Sequence, residues 1–154
     1  MTEVTNQARE FFNSIFAGAN LDLRATDVKT HSGCLLNFDG GDSALLLNEG
    51  GELLEALQHL ANQAFGRNLP QGERIVCDVE NFRATREAEL RAMARHAAER
   101  VRKTSVPFNF GPMNSNERRV IHLTLAEEVD LHTESVGEGA ARRLRVSLKD
   151  SSSR

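Results

Sequence analysis

The sequence predicts an α+β fold built from two small, closely packed domains. Three observations predict it. Segments with helical spacing of apolar residues alternate with short strand-like runs closed by Gly, Asn and Asp turns. The element order changes near residue 80, from α-β-β-α-α-β to helix, strand, helix, strand, strand, which suits helices on a small antiparallel sheet. The join at Asn81-Phe82 carries no Gly/Pro/Ser-rich linker, so the halves are expected to pack together rather than hang as beads. A chain of 154 residues has room for two such domains.

In the first half, Val4, Ala8, Phe11, Phe12, Ile15 and Phe16 form one face of a helix over 4–18, which Gly18 and Asn20 end. Leu21, Leu23, Ala25 and Val28 make a partly alternating strand. After a turn at His31-Ser32-Gly33, Cys34 to Phe38 make a second, closed by Asp39-Gly40-Gly41-Asp42. Asp42 or Ser43 can cap a short helix, Ala44 to Leu47, which breaks at Asn48-Glu49-Gly50-Gly51. A longer helix follows from Glu52, with Leu53, Leu54, Leu57, Leu60, Ala61, Ala64 and Phe65 as its apolar stripe. It stops at Gly66, and Ile75 to Val79 make a third strand.

In the second half the longest helix covers 83–104, with Leu90, Met93, Ala94, Ala97 and Val101 on its apolar face. Pro107 to Phe110 form a short strand. A further helix runs from Asn114 to about Glu128. Residues 130–136 and 142–148 read as a hairpin around Gly137-Glu138-Gly139. In its last strand Leu144, Val146 and Leu148 point one way, while Arg143 and Arg145 point the other. The Ser-rich tail 149–154 is expected to be disordered.

The net charge of −3 conceals an asymmetry. Residues 1–80 carry 5 Lys/Arg against 12 Asp/Glu, and residues 81–154 carry 14 against 10. The C-terminal half is therefore the one suited to a polyanion. With no Trp or Tyr, base stacking would fall to Phe, His or Arg. No apolar run reaches the ~18 residues of a membrane span, and the N-terminus lacks the features of a signal peptide. A cytoplasmic protein without membrane insertion is expected. Cys34 and Cys77 lie in apolar strand-like runs and read as buried, reduced thiols. No nucleophile stands beside a base, no set of metal ligands appears, and Asn48-Glu49-Gly50-Gly51 is not a phosphate-binding P-loop. Neither an enzyme nor a metal or cofactor site is expected.

The stretch from Met113 to Leu123 is the candidate site. Asn114 suits an N-cap, with Glu117 three residues on as in a capping box. Arg118 and His122 are four apart and share one face. A guanidinium offers five donors and a flat face, so the pair suits a phosphate or a base edge. The plainer alternative is that Arg118 bonds Glu117 or a nearby loop while His122 packs over Leu125. On the preceding helix Arg91, Arg95 and Arg102 lie within about 40° of one another. They form either a solvated flank or a basic stripe that follows a phosphate backbone.

The residues from Asp78 to Leu148 resemble the R-three-H domain, a nucleic-acid-binding domain named for an Arg and a His separated by three residues. The resemblance rests on Val79-Glu80-Asn81-Phe82-Arg83, the Arg86 to Arg102 helix, Lys103-Thr104, Pro107, Pro112-Met113, Glu117-Arg118-Arg119-Val120-Ile121-His122 and Thr133-Glu134-Ser135. Residues 4–80 resemble a type II KH domain in element order and in the run Leu54 to Leu60. The pairing resembles the bacterial Jag (KhpB-type) RNA-binding proteins. It implies a KH-like domain at 4–80, an R-three-H domain at 81–148 and a tail at 149–154.

The family resemblance implies RNA as ligand, with Arg118 and His122 contributing to single-stranded nucleic-acid binding; Arg119, Arg91, Arg95, Arg143 and Arg145 are expected to add phosphate contacts around them. It also implies a small KH-only protein as partner, and a role in cell elongation and envelope control. A homo-oligomer stays open. The KH loop of the family is Gly-x-x-Gly with basic middle residues. Here Asn48 stands at the first glycine, Gly51 at the second, and Glu49 brings a negative charge toward any phosphate. Two readings of Asn48-Glu49-Gly50-Gly51 follow: a KH fold that serves protein contacts, or an RNA clamp that tolerates the change. The alternative function is accordingly an adaptor whose KH-like half docks a partner.

Overall fold

The computed structural model describes residues 3–31 and 33–150. The chain is α+β and divides into two compact units, Met1–Arg83 and Ala84–Arg154. The first contains α1 (Glu3–Gly18), β1 (Arg24–Thr30), β2 (Gly33–Asp39), α2 (Ser43–Phe65) and β3 (Arg74–Asp78). Because α2 loses helical geometry at residues 48–51, the order is α-β-β-α-α-β, that of the KH type that the sequence resembles. Ser32, in the turn before β2, lies outside the described residues.

The sheet order is β1-β2-β3, with β1 antiparallel and β3 parallel to the central β2. Strict alternation along β2 buries Cys34, Leu36 and Phe38. Phe38 meets Phe12 and Phe16 of α1 edge-on, at ring-centroid distances of 5.1 and 5.2 Å. Val28, expected inside, is 49% exposed. It is out of phase with Leu23 and Ala25, which are buried two residues apart. Leu53 and Leu60 also stay exposed, because the second leg of α2 buries the narrower line through Leu54 and Ala61. Both thiols are free and buried. Burial raises both, and takes Cys77 to about 12.

Side-chain amides complete the hydrogen bonding of both outer strands. Asn13 of α1 accepts from Ala25 N at 2.8 Å and donates to Ala25 O at 3.3 Å on β1. Asn62 of α2 does the same for Ile75 on β3, at 3.0 and 2.7 Å, while Gln58 Oε1 accepts from Cys77 N. Asp42 does not cap α2 with its side chain. Its Oδ2 instead accepts from Asp22 N at 2.6 Å, and Asp22 Oδ2 accepts from Gly41 N at 3.0 Å.

The second unit takes α3 (Phe82–Thr104) from Ala84 onward, then β4 (Phe108–Asn109), α4 (Ser115–Leu125), β5 (Leu131–Val136) and β6 (Arg143–Leu148). The sheet is antiparallel in the order β4-β6-β5. Leu90, Ala94, Ala97 and Val101 of α3 and Ile121 and Leu125 of α4 share one core with Leu131, Leu144 and Val146. Met93 lies off that line and is 39% exposed.

Helix α4 is shorter than its sequence suggests, ending at Leu125 rather than near Glu128. Glu127 and Glu128 would sit at its negative end, where acidic side chains are unfavourable. Arg102 instead draws Glu128 and Asp130 away, at 2.6 and 2.8 Å. Lys149 N donates to Asp130 O at 2.8 Å. Residues 151–154 of the expected disordered tail lie outside the described residues. Among the described residues no helix is long and apolar enough to cross a membrane, and no group of three or more His, Cys, Asp or Glu could hold a metal ion.

Candidate nucleic-acid interface

Helix α4 starts where the sequence places it. The side chain of Asn114 accepts from Glu117 N at 2.9 Å, which satisfies one of the orphan donors of the first turn. The reciprocal half of the capping box is missing. Glu117 is buried, and its carboxylate accepts from Arg86 Nε at 2.9 Å instead and ties α4 to α3. The anchor fixes the first turn, and one residue later Arg118 leaves the helix on its sheet-facing side.

Arg118 and His122 stand one turn apart over the edge strand β5. Arg118 Nη1 donates to Ser135 Oγ at 2.9 Å. His122 Nδ1 and Thr133 Oγ1 share a hydrogen bond of 2.5 Å. Arg118 is half-buried, its Nε enclosed without an acceptor, and it has no carboxylate partner among the described residues. His122 is exposed. Both line an open cleft of about 360 Å³ together with Arg119, Thr133, Glu134 and Ser135, with Leu144 of β6 also in its wall. Of the two plainer expectations for this pair, neither describes the geometry. Arg118 bonds a strand hydroxyl rather than Glu117, and His122 is turned to solvent.

The other predicted basic residues do not join this cleft. Register pairs Ser135 with Leu144 and Thr133 with Val146, so the two hydroxyls share the core-facing side of the sheet. Arg143 and Arg145 alternate with Leu144 and Val146 and therefore lie on the opposite side. The buried Nε of Arg145 has no acceptor among the described residues, and Arg143 Nε reaches Ala141 O only at 3.5 Å. On α3, Arg91 pairs with Glu87 one turn away. Arg102 is held by Asp130 and Glu128, and both raise its guanidinium above the usual range. Arg95 has no acidic partner among the described residues. The three-arginine stripe is thus largely neutralised in place.

The left-handed turn of the KH-type loop begins one residue after the position of the family's first glycine. Asn48, at the position of the first glycine, is extended at φ −61°, ψ 148°. Glu49 takes the left-handed conformation, at φ 53°, followed by Gly50 at 69° and Gly51 at 82°. A Cβ on Gly51 would come within 2.6 Å of the Phe82 ring, so this position requires glycine twice over. A hydrogen bond to Glu49 that Glu52 can donate only when protonated, with the Glu49 charge adding to it, raises the Glu52 carboxyl above its ordinary 4.5. The loop therefore presents two interacting carboxyl groups where a phosphate grip would need positive charge.

Residues 88–148 match the family model of the R-three-H domain, and all seven predicted basic and imidazole side chains fall inside that span. Over nearly its whole length the chain is similar to RNA-binding protein KhpB of Clostridium symbiosum, 30% identical over 146 residues, which cover 94% of this chain and 66% of the relative. The chain belongs to the KhpB family. RNA-binding protein KhpB of Bacillus subtilis (strain 168) is 37% identical over 115 residues, covering 73% of this chain and 55% of that protein. KhpB of Lactiplantibacillus plantarum is 32% identical over 114 residues, covering 74% and 35%. The chain thus spans about one third to two thirds of the length of these KhpB relatives. Within the KhpB frame, Thr133 and Ser135 emerge as cleft residues whose partners the sequence left unassigned. Two signals were available: their place in the R-three-H resemblance, and their spacing at i and i+2, in phase with buried Leu131.

Proposed function

We propose that this chain binds single-stranded RNA in the cytoplasm, with the Arg118–His122 cleft as the primary contact. One observation carries the proposal: a half-buried guanidinium with no carboxylate partner among the described residues stands beside an exposed imidazole at an open cleft. A cation held partly out of water and left unneutralised favours an anion, and a nucleic-acid phosphate supplies one. The names of the KhpB relatives and the match to the R-three-H domain support RNA as the ligand. The same domain match also supports a binding rather than a catalytic protein. Resemblance to Jag proteins supports a regulatory role in cell elongation and envelope growth.

The test is a filter-binding or anisotropy titration against single-stranded RNA. Replacing Arg118 and His122 together by Ala should weaken binding at least tenfold, the scale expected of about 1–3 kcal/mol per specific contact. Unchanged affinity and an unchanged salt dependence in the double variant would rule the cleft out.

The second reading is an adaptor, in which the KH-like half docks a protein and RNA contact is incidental. The paired carboxyl groups of Glu49 and Glu52 favour it for that half, because they repel phosphate. Pull-down of a small KH-only protein by the full chain, unaffected by the double substitution at Arg118 and His122, is its expected signature.

A further inference from the structure

We propose that Thr133 and Ser135 are the positioning residues of the cleft, and that Thr133 fixes the His122 ring with Nε2 toward the RNA. The inference rests on the reading of the cleft as an RNA site and adds to it how the pair is aimed. The geometry is a match of two periodicities. Residues two apart on a strand are ~6.8 Å apart, and residues four apart on a helix lie about 5–6 Å apart on one face. Helix α4 and strand β5 present such pairs to each other. Arg118 meets Ser135 at 2.9 Å, and His122 meets Thr133 at 2.5 Å.

The strand is the rigid member. Ser135 and Thr133 are held in register against Leu144 and Val146, which are 2% and 0% exposed. Thr133 is β-branched, which restricts its χ1, and so its hydroxyl is offered in a narrow range of directions. Arg and His side chains, by contrast, would sample several rotamers on an open helical face. Each is tethered by one nitrogen. The bond at Nδ1 leaves Nε2 as the ring's outward polar atom, with no hydrogen-bond partner among the described residues. When the Thr133 hydroxyl donates to Nδ1, Nε2 carries the proton and can donate to a phosphate or base oxygen. Ser135 takes one N–H of the Arg118 fork, and Nη2 remains for a ligand.

The test compares Thr133→Val, Thr133→Ser and Ser135→Ala with the Arg118/His122 double variant in the full chain. Single-stranded RNA affinity is measured together with the His122 ring signals in a long-range ¹⁵N–¹H spectrum. Thr133→Val keeps shape and removes the hydroxyl, and should lower affinity about fivefold, the factor for one net hydrogen bond. It should also change the tautomer balance of His122. Thr133→Ser restores the hydroxyl and should restore both readouts. Ser135→Ala should lower affinity about threefold.

Wild-type affinity and an unchanged ring spectrum in Thr133→Val, with binding abolished in the double variant, overturn the positioning role and leave the cleft standing. If the double variant also binds normally, the cleft reading itself fails. A weaker affinity in Thr133→Val with an unchanged His122 spectrum, or one that Thr133→Ser does not restore, assigns Thr133 a packing role and overturns the inference.

Discussion

Glu49 shows how much one residue's backbone can decide. A non-glycine residue at φ 53° costs about 1–2 kcal/mol relative to right-handed geometry, and Asn tolerates it better than Glu. Glu49→Asn should therefore raise stability by roughly 0.5 kcal/mol in urea unfolding. The same change removes one of the two interacting carboxyl groups. Glu52 is raised above its ordinary 4.5 in the folded chain, first by the hydrogen bond with Glu49 and then by its charge. A raised folded-state value means that the stabilisation from this pair is full below 4.5 and lost as pH rises through the folded value. In Glu49→Gln a carbon-detected NMR titration should find Glu52 moved down toward 4.5. Gly51→Ala acts in the other direction. It needs φ 82° of an alanine and drives a Cβ to within 2.6 Å of Phe82, so a destabilisation of about 2–3 kcal/mol is expected in the same unfolding assay. The sequence located this loop and its break correctly. It could not say that the strained position is Glu49 rather than Asn48, because a one-residue shift of a tight turn leaves no trace in periodicity.

At the scale of elements, apolar periodicity located the helices and strands, since α1, α2 and α3 each bury a stripe and β2 and β6 alternate. The misses fall where packing trims a pattern. Val28, Leu60 and Met93 are apolar residues one step outside the buried line, and nothing in the sequence marks the width of the face that a partner covers. Also unreadable were the amides that serve sheet edges. Asn62 donates to Ile75 O and Gln58 O and accepts from Ile75 N, so it acts as a short length of strand beside β3. Asn62→Leu keeps the volume and leaves the backbone groups of Ile75 without partners. A buried unsatisfied group costs about 1–3 kcal/mol, and a total destabilisation of about 2–4 kcal/mol is expected in denaturant unfolding, since water can reach part of this half-buried site. A change below about 0.5 kcal/mol, the range of ordinary surface substitutions, would show that the edge does not depend on the amide. At the cleft, the Arg-xxx-His spacing and the N-cap were legible for the same local reason. That Arg143 and Arg145 face away from it required the register of β5 on β6, a long-range pairing that fixes which side of the sheet carries the hydroxyls.

Across the whole chain, charge divides as the sequence does, with 12 acidic and 5 basic residues in 1–80 and 10 against 14 in 81–154. The structure refines how much of that excess is free for a ligand. Arg86, Arg91 and Arg102 are paired with carboxylates, whereas Arg118, Arg119 and Arg95 have no acidic partner among the described residues. Exposed ion pairs are weak, so Arg91 can still be recruited at little cost, but Arg102, held by Glu128 and Asp130, is less available. Binding to single-stranded RNA should accordingly involve few phosphates and respond moderately to salt. Each phosphate that is no longer gripped flattens the slope of log K against log salt by about 0.7 for a single strand. Arg119→Ala should remove one such step while leaving the fold intact, because Arg119 is exposed and makes no bond among the described residues. Arg102→Ala should leave the slope nearly unchanged and instead loosen the Glu128–Asp130 turn. In the wild-type chain Asp130 is held below its ordinary 3.8 chiefly by the hydrogen bond from Arg102, and in that variant it should move up toward it. A lowered folded-state value stabilises above the ordinary one and the stabilisation is lost as pH falls through the folded value, so the variant should be relatively more acid-tolerant. A salt slope that falls in Arg102→Ala and not in Arg119→Ala would move the RNA path from the α4 cleft to the far end of α3.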